Sequence, residues 1–264
     1  VKLSGTERAE GGFLRRTFKA YALQFETVEC DFEGNYNRFL TLFNFCSKNS
    51  LVVLPEVFPT GFCYSDIAGA VRFSKKVVED IISFSKGLEL VVVFSVMEMV
   101  NGKLYNSVKV IDSGREVFSR PKVKLFPLTG EAEHFTAGNF DDLKVAETSL
   151  CRVAPVVCFE LRFSEIFSIL KSKGAEVFAV VAQWGRARRE HWKVLNVARA
   201  IEFQRFVISA NGTGEMAGSS VIVDPWGRTL VEGGTGIGLI SADVDLLRIL
   251  KVEQKLPLMG KDFC

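Results

Sequence analysis

Runs in which nearly every side chain is apolar alternate along this chain with stretches whose apolar residues recur three or four apart. Lys19–Phe25 (KAYALQF) alternates as a strand does. Gly34–Lys48 then places Tyr36, Phe39, Leu40, Phe43 and Phe45 near helical spacing, and Leu51–Leu54 (LVVL) is wholly apolar and stops at Pro55. The pattern predicts strand, helix, strand. It repeats with a helix over Val71–Ser85 stopped by Gly87, a strand over Glu89–Met99, and a hairpin turn at Asn101-Gly102 into a strand over Lys103–Ile111. A turn at Ser113-Gly114 sends the chain back towards Arg120. Further on, strands are predicted at Arg152–Val157, Val177–Ala182, Phe206–Ala210 and Ser219–Val223. Helices are predicted at Ser164–Lys173 and Arg189–Arg205, and Asp224–Gly227 is a turn.

Strands alternating with helices and interrupted by hairpins predict a layered α/β protein with mixed sheets. Three of the strands are apolar on both faces, as in sheets covered on each side. The segment from Lys122 to Asp142 carries no regular pattern and is too long for an ordinary connection, which marks it as a functional loop. We expect one domain over 18–264. VKLSGTERAEGGFLRR at the start has no apolar core of a signal peptide, so residues 1–17 are expected to be a mobile leader.

Composition narrows the partners. Hydrophobic residues make up 48% and charged residues 24%, which excludes a disordered chain. The 33 basic and 31 acidic residues are scattered, with no basic stripe interleaved with aromatics, so no nucleic-acid partner is expected. No apolar run approaches the roughly 20 residues of a membrane span, and a cytoplasmic location is expected. Six cysteines without a CxxC pair read as thiols, mostly buried, rather than as a disulfide framework. Two histidines, His134 and His191, lack metal-binding spacing, so no metal is expected.

Chemistry concentrates at strand ends. Cys158 closes an apolar strand just before a helical pattern, where α/β sheets present groups to ligands and where a helix N-terminus would favour a thiolate. A buried structural cysteine is the equally open alternative. Glu56 follows LVVLP, where apolar neighbours would raise a carboxyl pKa towards that of a general base. A solvated loop residue fits as well. In RPKVKLF, Lys122 and Lys124 share a face of an extended segment. A lysine beside a thiolate would hold it ionised and stabilise an oxyanion, while the segment taken alone favours a solvated edge-strand pair. Glu131, in the long loop, leaves the same two readings open.

Together, LPEVFPTGF, RPKVKLF, GEAEHFTAGN and VVCFELRF, in that order, resemble the signature segments of the nitrilase superfamily of carbon–nitrogen hydrolases. The resemblance runs from about Lys19 to about Ala242. It implies a four-layer αββα sandwich with two mixed sheets, commonly a homodimer or larger oligomer, and no cofactor. It also implies that Glu56 is the general base, Lys122 the catalytic lysine, Cys158 the nucleophile and Glu131 a second glutamate. The Phe159 backbone N–H would join Lys122 in holding the oxyanion. Gln183 and Trp184, at the end of an apolar strand that should face the same crevice, are expected in the pocket wall, although a Trp that merely covers the core fits too. Arg162, four places after the cysteine, resembles the amidase branches. Arg186, Arg188 and Arg189 could attract a carboxylate or be a solvated helix start.

The implied activity is hydrolysis of a C–N bond in a small amide through a thioester, best an ω-amide of a dicarboxylic acid. An N-carbamoyl amino acid or a nitrile is the alternative substrate. Two other classes stay open: a cysteine–histidine hydrolase using His134 or His191, and a catalytically silent interaction protein. The chain departs from the family pattern at Lys124, where relatives often carry histidine, at Glu160, where amidases usually carry Asp, and in a short Asn211–Ala217 segment.

Overall fold

The computed structural model describes residues 6–8 and 14–258. The leader expected over 1–17 falls mostly outside them; within it, Thr6–Arg8 (β1) pairs antiparallel with the beginning of Leu14–Gln24 (β2). Helix α1 (Phe32–Phe43) follows, its first turn capped by the Asp31 carboxylate accepting from Gly34 N–H. Next come β3 (Ser50–Val53), helix α2 (Ile67–Leu88, capped in the same way by Asp66), β4 (Val91–Val100), β5 (Lys103–Asp112) and β6 (Arg115–Pro121). β2, β3 and β4 are parallel, whereas β4, β5 and β6 form an antiparallel meander.

After the short helix α3 (Glu131–His134) the chain builds a second sheet from β7 (Ala146–Glu147), β8 (Arg152–Val157), β9 (Val177–Ala182), β10 (Phe206–Asn211), β11 (Val221–Val223) and β12 (Thr229–Glu232). Helices α4 (Ser164–Ser172) and α5 (Arg189–Phe203) connect its parallel strands β8, β9 and β10. The chain then returns to the first sheet as β13 (Gly238–Asp245), antiparallel to β2, and ends the described part with α6 (Leu247–Lys255).

The period of two along the strands makes the layers. Ala20, Ala22, Leu51, Val53, Val91 and Val93 point to the second sheet and share one core with Val153, Val177, Ala179 and Ile208, which lie on one face of that sheet. The intervening Tyr21, Leu23, Val52, Val92 and Phe94 point outwards and pack with Phe39 and Phe43 of α1 and with Val77 and Ile81 of α2. Helix, sheet, sheet, helix is therefore the αββα order. β3, β9 and β10 are buried along their whole length, and a strand buried on both faces is predominantly apolar: β9 is wholly so, while the buried Ser209 and Asn211 of β10 are hydrogen-bonded.

Three expectations change. The first helix ends at Phe43, not Lys48, because the chain must turn into β3, and Phe45 stands 72% exposed in that turn. Gly87 does not stop α2, which runs on to Leu88 and ends with Glu89 in the left-handed conformation at φ 52°. Cys30 and Cys63 are joined in a disulfide, against the expectation of free thiols. The residues are 33 apart in sequence and become neighbours only because the loop after β2 folds against the loop after β3. Cys46 and Cys158 are buried free thiols, and Cys151 is buried as well; Cys264 lies outside the described residues.

Candidate active site

Each strand that delivers a site residue ends with a backbone device that aims it. Glu56 lies three residues past β3, its N–H donating to the Ala182 carbonyl at the end of β9. The next residue, Val57, is held at φ 40° with its N–H donating to Ser95 Oγ. Cys158 closes β8 at φ 44° and begins a single 3-10 turn, Cys158–Arg162, that precedes α4. A β-branched residue and a cysteine in the left-handed region cost about 1–3 kcal/mol each, and such strain persists where the surroundings fix it. Lys122 follows β6, tied to β5 by its N–H donating to the Asn106 carbonyl at 2.8 Å. Glu131 opens α3 and is reached through Gly130 at φ 67°, a conformation that favours glycine.

These four side chains line one cavity of about 320 Å³. Lys122 Nζ donates to Glu56 Oε1 at 2.8 Å and to both oxygens of Glu131 at 2.7 and 2.9 Å. The three ammonium protons are thus all engaged. Glu56 accepts again at Oε1 from Asn106 Nδ2 (2.8 Å) and at Oε2 from the Gln183 backbone N–H (3.2 Å). Glu131 also accepts from Asn106 Nδ2 (3.3 Å) and from the Phe126 N–H. All three charged groups are buried, and a buried charge is tolerated only when paired and hydrogen-bonded.

Electrostatics sets the protonation states. Burial alone would push the Lys122 ammonium down, but Glu56 and then Glu131 overcome it and hold the pKa well above the usual range. Burial raises the Glu131 carboxyl, and Lys122 opposes it. Burial and then Glu56 push the Cys158 thiol well up, with Lys122 opposing. This reverses the expectation of a thiolate favoured by a helix N-terminus: Cys158 lies in the 3-10 turn before α4, and the nearby Glu56 charge works against ionisation. The free protein should therefore hold a neutral thiol. Thiolate absorbance near 240 nm, taken as the difference between wild type and Cys158→Ala, is expected to show no step between about pH 6 and about pH 9, around the ordinary thiol pKa. A step near neutrality would contradict this geometry.

The other residues named from sequence divide. Gln183 lines the cavity, yet its Nε2 is used in donating to Thr27 Oγ1 and to the Glu56 carbonyl, so it ties down the Glu56 backbone. Trp184, Phe159 and Arg162 line a smaller adjoining recess that also touches Cys158. Trp184 is buried, its Nε1–H donating to the Arg188 carbonyl, and the Arg162 guanidinium lies 4.6 Å over its ring. Of the three arginines of the next segment, Arg186 donates to the Gly214 carbonyl and Arg189 to Ser219 Oγ. Arg188 lines both cavities, 5.0 Å over the Phe126 ring, and forms no ion pair with a carboxylate of the described residues. Lys124 turns away onto the Phe140 and Phe163 rings. His134 stacks on Tyr64 and His191 meets Arg162, so neither histidine lines the walls around Cys158.

Sequence reasoning missed Asn106, Tyr64 and the pair Arg120–Glu160. Asn106 is a polar residue inside an otherwise strand-like LYNSVKVI, and that interruption was its only signal.

A family model described as carbon-nitrogen hydrolase matches residues 19–254. The chain is 34% identical over 220 residues to a 2-oxoglutaramate amidase of Bacillus subtilis (strain 168), covering 79% of this chain and 83% of the relative. It is 28% identical over 248 residues to the omega-amidase YafV of Yersinia enterocolitica, covering 91% and 95%. In fold it resembles XC1258 from Xanthomonas campestris, a CN-hydrolase superfamily protein, with a TM-score of 0.84 at 24% identity over 94% of this chain and 98% of that one.

Proposed function

The chain belongs to the carbon–nitrogen hydrolase family, and from that premise we propose that it hydrolyses the terminal amide of a short dicarboxylic acid monoamide, releasing ammonia. One observation carries the substrate class: the Arg188 guanidinium, without an acidic partner among the described residues, shares a cavity with the Cys158, Glu56 and Lys122 side chains. A carboxylate is the natural partner of such a cation, since charge-assisted bonds to guanidinium are strong and planar. The names of the two amidase relatives point the same way.

In this reading Glu56 takes the proton from Cys158 Sγ as the sulfur attacks the amide carbon. The tetrahedral oxyanion is held by the Phe159 N–H and by Lys122, which gives up one of its two bonds to Glu131 to donate to it. Glu56, now protonated, delivers its proton to the amide nitrogen, and ammonia departs to leave a thioester on Cys158. Glu56 then takes a proton from water as the water attacks the thioester carbon, and the carboxylic acid leaves with the thiol restored. Glu131 and Asn106 position Lys122 and Glu56. A neutral resting thiol suits this scheme, because the proton moves only when substrate is present. A homo-oligomer belongs to the same reading, supported by exposed Val194 and Ile201 on α5 and by Trp226 beyond it.

The test is ammonia release from ω-amide acids, neutral aliphatic amides, N-carbamoyl amino acids and nitriles, with Cys158→Ala as the control. Turnover of ω-amide acids, lost in the control, is expected. In Arg188→Met the ratio of kcat/KM for the ω-amide acid to that for a neutral amide should fall about 10- to 100-fold, the effect of removing one charged hydrogen-bond partner. Preference for a carbamoyl compound or a nitrile, or an unchanged ratio, would sink this assignment.

A further inference from the structure

Two groups on the cavity wall take no part in the chemistry above. Tyr64 has its ring fixed by a stack on His134, with centroids 4.0 Å apart and planes 16° apart, and by an edge contact with Phe135 at 5.9 Å. Its hydroxyl is buried and has no hydrogen-bond partner among the described residues. Glu29 stands exposed on the same wall and pairs with no cation of the described residues. The close approach of Gly61 sets its place: a Cβ there would come within 3.0 Å of the Glu29 Cα.

The charges around Tyr64 are unbalanced. Burial, and then the carboxylates of Glu131, Glu56 and Glu29 against the single Lys122 cation, push its phenol up. The cavity is thus acidic around Tyr64 and basic at Arg188 and its neighbour Arg162. Such a field repels a second substrate anion from the Tyr64 side and attracts a cation. A phenol oxygen and a carboxylate are both acceptors, which is what an ammonium group, with three donors and no acceptor, requires.

We propose that Glu29 and Tyr64 receive an ammonium group, so that the substrate is an α-amino acid bearing an ω-amide, with its carboxylate on Arg188 and its ammonium between the Glu29 carboxylate and the Tyr64 phenol oxygen. This rests on the ω-amide assignment above and adds the substituent at the α-carbon.

The experiment measures kcat/KM for L-glutamine, 2-oxoglutaramate and glutaramate, which differ at that carbon alone, in wild type, Glu29→Gln and Tyr64→Phe. The last variant keeps the ring and its stacking. Wild type should prefer L-glutamine. The ratio of L-glutamine to glutaramate should fall about tenfold in Glu29→Gln, the lower end of the range for a charged partner because Glu29 faces solvent, and several-fold in Tyr64→Phe. Ratios that stay constant would overturn the proposal. So would a fall in Tyr64→Phe confined to 2-oxoglutaramate, which would make the hydroxyl a donor to a keto oxygen. If none of the three is turned over, the ω-amide assignment fails. Calorimetry then decides the ammonium subsite: L-glutamine binding to Cys158→Ala that weakens when Glu29→Gln is added supports it, and no such weakening overturns it.

Discussion

Lys122→Met is expected to lower kcat about a thousandfold, at the upper end for removing one oxyanion donor, and to destabilise the fold by about 3–5 kcal/mol at neutral pH. Both effects come from one ammonium. It is the only cation that the buried Glu56 and Glu131 carboxylates hydrogen-bond to among the described residues, and its loss leaves two negative charges in a dry cluster. The pH dependence separates this from simple loss of packing. In wild type, Lys122 has its folded pKa raised, so its stabilisation is fully present below the unfolded value and is lost only as pH rises through the folded one. Glu131 is raised too, which for an acid means that the folded state binds the proton more tightly. Its charge therefore costs stability at neutral pH, and the cost disappears as pH falls through the folded pKa. Without Lys122 that cost grows. The gap in unfolding free energy between wild type and Lys122→Met should thus be widest near neutrality and narrow as pH falls. Urea denaturation at about pH 7 and about pH 5 measures it. A gap independent of pH would show that the lysine contributes only packing, and near-normal turnover would remove it from the chemistry.

How much of this was legible beforehand follows from which residues sit in patterned surroundings. Glu56 and Cys158 each follow an apolar run, Leu51–Leu54 and Val153–Val157, so a polar group beyond it stood out, and β8 and β9 were bounded correctly for the same reason. Lys122 and Glu131 lie in the unpatterned loop, and only the joint resemblance of four segments singled them out. The Cys30–Cys63 bond was illegible because nothing local links residues 33 apart; it depends on two loops meeting. Asn106 was missed because burial in a sandwich is a property of the assembled sheets. In sequence it resembles any polar residue on the open face of a hairpin. The direction of the Cys158 pKa was misjudged because strand-then-helix in sequence conceals the intervening 3-10 turn and the nearby Glu56 charge. The C-terminal strand β13 was missed because its pattern is only half buried, and its partner β2 lies at the other end of the chain.

Glu160, noted in sequence only as a departure from the amidase pattern, is expected to matter nearly as much as the residues that react. Its carboxylate is wholly buried and accepts four hydrogen bonds: from Arg120 Nη1 at 2.9 Å and Nη2 at 2.6 Å, from the Val123 N–H at 2.7 Å and from the Val157 N–H at 2.8 Å. Val123 adjoins Lys122 and Val157 adjoins Cys158, so one side chain fixes the separation of lysine and thiol. Glu160→Ala leaves the buried Arg120 guanidinium without its acid and two backbone N–H groups without acceptors. The expected loss is about 3–5 kcal/mol of stability, together with a fall in kcat of about a hundredfold as the two reacting strands lose their tie. Arg120→Met/Glu160→Ala separates the two roles. Removing the stranded cation should recover about 1–3 kcal/mol, since much of the penalty is an unpaired buried charge, but the Val123 and Val157 donors remain unsatisfied and kcat should stay low. If kcat recovers in step with stability, the pair serves only to neutralise charge and the cross-strand tie is not what aligns Cys158 with Lys122. If Glu160→Ala lies within about 1 kcal/mol of wild type, the buried pair is not the organising contact that its four hydrogen bonds imply.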